Sequence, residues 1–177
     1  QIIGRSIPGK VAQIVEANYR RIEVDAFTSW ATGLVTAKNP QTGTTYQTSF
    51  DFDTARLTTA GTAWDDPGEN AYDLLISFLE DAIDKIGGVR GVVLRTALLR
   101  AIQADAPDLI GGVSMTRAAL ADRISADLAS PFNFFVFDDT VEVYTDGGTA
   151  VTSTNVWPAG YIAAVPSSGA VGRTVFA

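Results

Sequence analysis

Apolar positions recur at helical spacing in several stretches of the chain, and between them they crowd into short runs typical of strands. Val11, Ile14, Val15, Ile22 and Ala26 predict a helix over roughly residues 9–29, with Gln13, Glu16, Arg20 and Glu23 on its other faces. The clearest helix is predicted over 69–86. There Tyr72, Leu75, Ile76, Leu79, Ile83 and Ile86 form one stripe, while Asp73, Ser77, Glu80, Asp81 and Asp84 face away. Pro67 suits the start of this helix and Gly87-Gly88 its end. A second amphipathic helix is predicted over 116–128, with Leu120, Ile124 and Leu128 at every fourth position, and a short one over 97–103.

Residues 30–53, WATGLVTAKNPQTGTTYQTSFDFD, read as two strands joined at Pro40-Gln41-Thr42-Gly43. The many threonines favour strand, and only Val35, Ala37, Tyr46, Phe50 and Phe52 supply an apolar face. Strands of about eight residues would reach roughly 26 Å. Two-stranded hairpins are marginal in water, so this one must lie on its own domain or on a neighbouring molecule. Further strands are predicted over 91–95, 132–137, 140–144, 150–156 and 161–165, with a tight turn at Asp146-Gly147-Gly148. Residues 53–68 read as irregular, with Trp64 as an anchor. The pattern predicts an α+β protein: a helical arm over 1–29, the hairpin over 30–55, a segment with the amphipathic helix over 56–88, and an α+β module over 89–177.

Composition narrows the chemistry sharply. The 177 residues hold no cysteine and no histidine, which removes disulfides, thiol catalysis, imidazole bases and the usual zinc sites. The formal charge is −7, and basic residues are scattered except for Arg20-Arg21, so no basic stripe is available to neutralise phosphates. No run approaches the roughly 20 apolar residues of a membrane span, and the N-terminus does not read as a signal peptide. A start at Gln1 rather than Met is what a processed or trimmed piece of a longer chain would have.

The remaining candidates for chemistry each have a plainer reading. Gly4-Arg5-Ser6-Ile7-Pro8-Gly9-Lys10 matches GxxxxGK, but Val11 stands where a magnesium-binding hydroxyl belongs and no buried strand precedes the motif. A turn before a helix is the simpler expectation. Asp51 with Asp53, Asp65-Asp66 and Asp138-Asp139 could pair as carboxylates for a metal or for glycoside hydrolysis. They equally suit a strand edge and turns. Trp30, Trp64 and Trp157 could form a sugar platform or serve as packing anchors. Arg20 and Arg21 can pair along their own helix or across a subunit boundary, and Glu80, Asp81 and Asp84 form either a wet helix face or a partner-facing acidic patch.

In their order, several motifs resemble those of the lambda-type major capsid proteins (the protein E family) of tailed phages and prophages. Thr28-Ser29-Trp30-Ala31-Thr32-Gly33-Leu34-Val35-Thr36 resembles the opening of that family's extended loop. Phe50-Asp51-Phe52-Asp53, then Trp64, then Asp66-Pro67 before an amphipathic helix, resembles its approach to the peripheral-domain helix. Gly91-Val92-Val93-Leu94 with the helix after it, the strand into Asp146-Gly147-Gly148, and Trp157-Pro158-Ala159-Gly160-Tyr161-Ile162 resemble steps of the axial domain.

The resemblance covers roughly residues 10–176. It implies an HK97-like capsid fold with an extended hairpin, a peripheral helix and a compact axial domain. Family members are longer, which implies that an N-terminal portion and the C-terminal return to the peripheral domain are missing here. The implied function is a structural, non-enzymatic shell subunit that assembles into hexamers and pentamers. Its implied partners are scaffold, portal and decoration proteins, with DNA enclosed but not specifically bound, no membrane and no cofactor or metal. Its implied location is the virion, after assembly in the bacterial cytoplasm. Subunit contacts are then expected at Lys38, Pro40, Gln41, Thr42 and Gly43, at Arg20 and Arg21, and at Glu80, Asp81 and Asp84. The rival readings are a virion-associated or extracellular β-rich module binding carbohydrate or protein, and a carboxylate-based hydrolase.

Overall fold

The computed structural model describes residues 3–38, 42, 44–49, 57, 59–64, 66, 68–106, 115–144 and 151–168. In chain order the elements are α1 (Ile3–Thr32), β1 (Leu34–Lys38), β2 (Thr45–Ser49), α2 (Ala71–Ile86), β3 (Val89–Leu94), α3 (Thr96–Asp105), α4 (Arg117–Asp127), β4 (Asn133–Val136), β5 (Thr140–Tyr144), β6 (Val151–Asn155) and β7 (Ala163–Pro166). The protein is α+β. It divides into two compact units, Gln1–Asp51 with Asp139–Pro158, and Phe52–Asp138 with Ala159–Ala177.

The second unit is built around β3, whose side chains are buried at every position except Arg90. That burial follows from its place in the middle of a three-stranded sheet of order β4-β3-β7. β3 runs parallel to β4 and antiparallel to β7. A parallel pair needs a crossover, and here α3 and α4 lie in it. Leu75 and Leu79 of α2, Leu94 of β3, Ile102 of α3, Leu120 and Ile124 of α4 and Phe134 of β4 share one core. The predicted stripe of α2 is correct at Tyr72, Leu75 and Leu79, while Ile76, Ile83 and Ile86 are only partly buried and Ala71 and Ala82 join the core. Trp64 packs edge-on against Phe78 of α2, ring centroids 5.9 Å apart.

The ends of α2 are well satisfied. The Asn70 side chain accepts the N–H groups of Tyr72 and Asp73, both at 3.1 Å, and the Asp105 carboxylate accepts that of Ala71 at 2.8 Å. At the other end Gly87 takes a left-handed conformation and donates its N–H to Ile83 at 2.8 Å, as the Gly-Gly pair predicts. Pro67 lies outside the described residues. The helix itself begins at Ala71, because the polar cap is Asn70.

In the first unit, β1 pairs with β2 and β5 with β6, each as a separate antiparallel two-stranded sheet. Trp157, fully buried just beyond β6, meets Phe27 and Trp30 of α1 edge-to-face at 5.9 and 5.7 Å. The turn expected at Asp146-Gly147-Gly148 lies outside the described residues.

Two expectations about organisation change. Residues 89–177 are not one module: 139–158 group with the N-terminal part of the chain, while α2 shares a core with β3, α3 and α4. Nor does the Gly4-to-Lys10 stretch form a turn or a phosphate-cradling loop, since α1 is already continuous there.

Candidate functional site

The hairpin starts where α1 stops, and the stop is a local hydrogen-bonding event. The Thr32 hydroxyl donates to the Thr28 carbonyl at 2.7 Å, the way a threonine stays inside a helix. Gly33 then adopts φ 73°, a left-handed conformation that favours glycine, and donates its N–H to Ser29 at 2.8 Å. Leu34 donates its N–H to the Thr32 hydroxyl at 3.2 Å, and β1 runs on from there. Trp30-Ala31-Thr32, expected in the first strand, are therefore the last turn of α1.

The strands are correspondingly short, five residues each rather than about eight, spanning roughly 17 Å. Their register runs from Leu34 opposite Ser49 to Lys38 opposite Thr45. All five residues of β2 are exposed, Tyr46 at 59%. Of the expected contact residues at the tip, Lys38 ends β1, and Thr42 donates its hydroxyl to that of Thr44 at 2.9 Å. Pro40, Gln41 and Gly43 lie outside the described residues, as do Asp51, Asp53 and Asp65.

The other expected contact residues are exposed, and most of the charges are met locally. Arg20 pairs with Glu23 at 3.2 Å and Arg21 with Asp25 at 3.0 Å, both along α1. On α2, Glu80, Asp81 and Asp84 are exposed, with Asp81 accepting from Lys85 at 2.6 Å. Exposed pairs of this kind contribute little to stability, about 0.5 kcal/mol each.

Asp138, read from the sequence as half of a carboxylate pair, has a structural task instead. It receives the hydroxyl of Thr96 in a short hydrogen bond and the Thr96 backbone N–H at 3.0 Å, so it caps α3 from 42 residues away. Arg95 Nε lies 3.7 Å from the same carboxylate. The Thr96 hydroxyl, then the Thr96 N–H, hold the Asp138 carboxyl below its usual range; partial burial opposes them, and Arg95 and Arg100 add to them. Its neighbour Asp139 instead accepts the Val156 N–H through its backbone carbonyl at 2.8 Å. Among the described residues no group of three or more Asp or Glu side chains is arranged to hold a metal ion.

Asp138→Ala should cost about 1 kcal/mol in a urea unfolding curve, as the loss of a helix cap does. A carboxyl whose folded value is lowered stabilises the protein fully above its unfolded value of about 4, and the contribution is lost as pH falls through the folded value. Asp138→Asn should flatten that part of the acid-unfolding profile. An identical profile would mean that the charge contributes nothing to the cap.

The three tryptophans serve in packing: Trp157 is fully buried, and Trp30 and Trp64 are partly buried with their edges on other rings. Two features had no sequence warning. The caps Asp105 and Asp138 act across long separations, and only the Asn before the α2 stripe could have been read as a cap. Of the apolar residues whose spacing predicted α1, Val11, Val15 and Ile22 stand exposed. No described helix is long and apolar enough to cross a membrane. Compared with protein-family models, curated proteins and solved structures, the chain matches none of them.

Proposed function

We propose that the chain is a structural subunit of an icosahedral phage or prophage head shell, with an HK97-like fold. In this reading the β1–β2 hairpin is the extended loop, α2 the peripheral helix, and the sheet β4-β3-β7 with α3 and α4 part of the axial domain. The observation that carries it is the hairpin, a strand pair whose second strand is exposed at every residue. Such a pair is marginal alone and gains its stability when a neighbouring subunit covers it.

The order of motifs along the chain supports the same reading, from the glycine that opens the hairpin to the strand beyond Trp157. So does the charge of −7, which lets a shell hold DNA without clamping it. The subunits would form hexamers and pentamers, with scaffold, portal and decoration proteins as partners, in a virion assembled in the bacterial cytoplasm. Many weak contacts made together supply the cohesion, and the role needs no catalytic group or cofactor. The sugar-binding alternative gains no support, because the tryptophans it relies on are engaged in packing.

Negative-stain microscopy of the protein, with scaffold supplied, should reveal rings or closed shells at raised concentration. Persistent monomers would overturn the assignment. Removing residues 38–45 should abolish assembly while circular dichroism stays unchanged. Equal loss of folding and assembly would mean that the hairpin belongs to the core.

A further inference from the structure

Four of the eight large apolar side chains exposed among the described residues lie on α1: Val11, Val15, Tyr19 and Ile22, at 53, 47, 62 and 37%. Their spacing of four, four and three makes one stripe along the helix. Every described side chain from residue 9 to residue 22 is exposed, so this half of the helix is covered by nothing in the described chain. A shallow groove follows the stripe, lined by Ala12, Val15, Glu16, Tyr19, Arg20 and Glu23. These six make two successive sets at i, i+3, i+4 and i+7, one from Ala12 to Tyr19 and one from Glu16 to Glu23. Each set is the four-residue hole that receives one side chain of a facing helix.

We propose that the facing helix is α1 of a second copy, packed antiparallel about a two-fold axis level with Ala17 and Asn18. At that register Tyr19 of each copy enters the other's first hole and Val15 the second. Val11, Val15 and Ile22 flank one side of the seam. On the opposite side Glu16 of each copy reaches Arg20 of the other.

Charge selects this orientation. Glu16 has no ion-pair partner among the described residues, whereas Arg20 has only the exposed Glu23. A parallel pair would instead set the Glu16 and Arg20 flank of each copy against the apolar Val11, Val15 and Ile22 flank of the other. The antiparallel pair makes two reciprocal attractions. An isologous contact of this kind closes on itself. It goes beyond the shell reading, because it is equally available to an isolated dimer.

The absence of native cysteine makes the geometry directly testable. In mixed, oxidised samples of the Ala12→Cys and Glu23→Cys proteins, a disulfide should join the two different variants. Glu23→Cys alone should not cross-link, since its two copies would stand about 16 Å apart along the seam. Sedimentation should show Glu16→Arg weakening self-association roughly tenfold, as two attractions become repulsions. Glu16→Arg with Arg20→Glu should restore it, with helix content by circular dichroism unchanged throughout. Homodisulfides of Glu23→Cys, no mixed disulfide, or a charge swap that fails to restore association would each overturn the pairing. These readouts report the α1 contact whether or not shells form.

Discussion

Trp157→Ala is expected to cost the first unit about 4 kcal/mol, the range for truncating a fully buried tryptophan. The loss has two parts. The indole leaves a cavity that its neighbours only partly refill, and Phe27 and Trp30 lose their edge-to-face partner. These two ring contacts tie the end of β6 to α1. The variant should therefore loosen the platform from which the hairpin projects. Hydrogen exchange should show amides of β5, β6 and the C-terminal part of α1 losing protection while those of β3 keep theirs. Equal loss in β3 would mean that the two units unfold as one and that their division has no thermodynamic content.

Gly91→Ala should be comparably severe for a different reason. A Cβ at residue 91 would stand 2.2 Å from the carbonyl oxygen of Asn133 and 2.8 Å from a ring carbon of Phe135. The Asn133 oxygen is backbone and belongs to the strand that pairs with Gly91, so relief requires β4 to move away from β3. We expect a loss of roughly 3 kcal/mol, read as a fall in melting temperature on the order of 10 °C. Gly61→Ala is the matched control, since its Cβ would meet nothing within 4 Å. A melting temperature for Gly91→Ala that equals the control would show that β4 is held loosely against β3.

These two residues show how far the sequence could be read. Trp157 was legible as an anchor because a lone tryptophan beside Pro158 in an apolar stretch has few other uses. Its partners were not legible, since Phe27 and Trp30 are more than a hundred residues away. Gly91 was legible as part of a strand. An isolated glycine inside a strand pattern signals close backbone approach, and that signal needed a partner strand to become a specific contact.

The same division runs through the candidate surfaces. Local periodicity located α2, α4 and most strands to within a few residues, because helical and strand spacing are properties of neighbouring residues. It extended the hairpin too far at its start, because Gly33 rather than Trp30 ends the helix, and threonine is compatible with both states.

Composition by itself determined that this chain carries no imidazole and no thiol, and the hydrophobic pattern determined an α+β chain with a polar hairpin and a capped amphipathic helix. The folded chain was needed to show which segments share a core, that Asp138 caps a helix rather than pairing with Asp139, and that the apolar stripe on α1 faces outward. Each of those depends on which distant residues meet. Periodicity along the chain says that a face is apolar, but not what covers it.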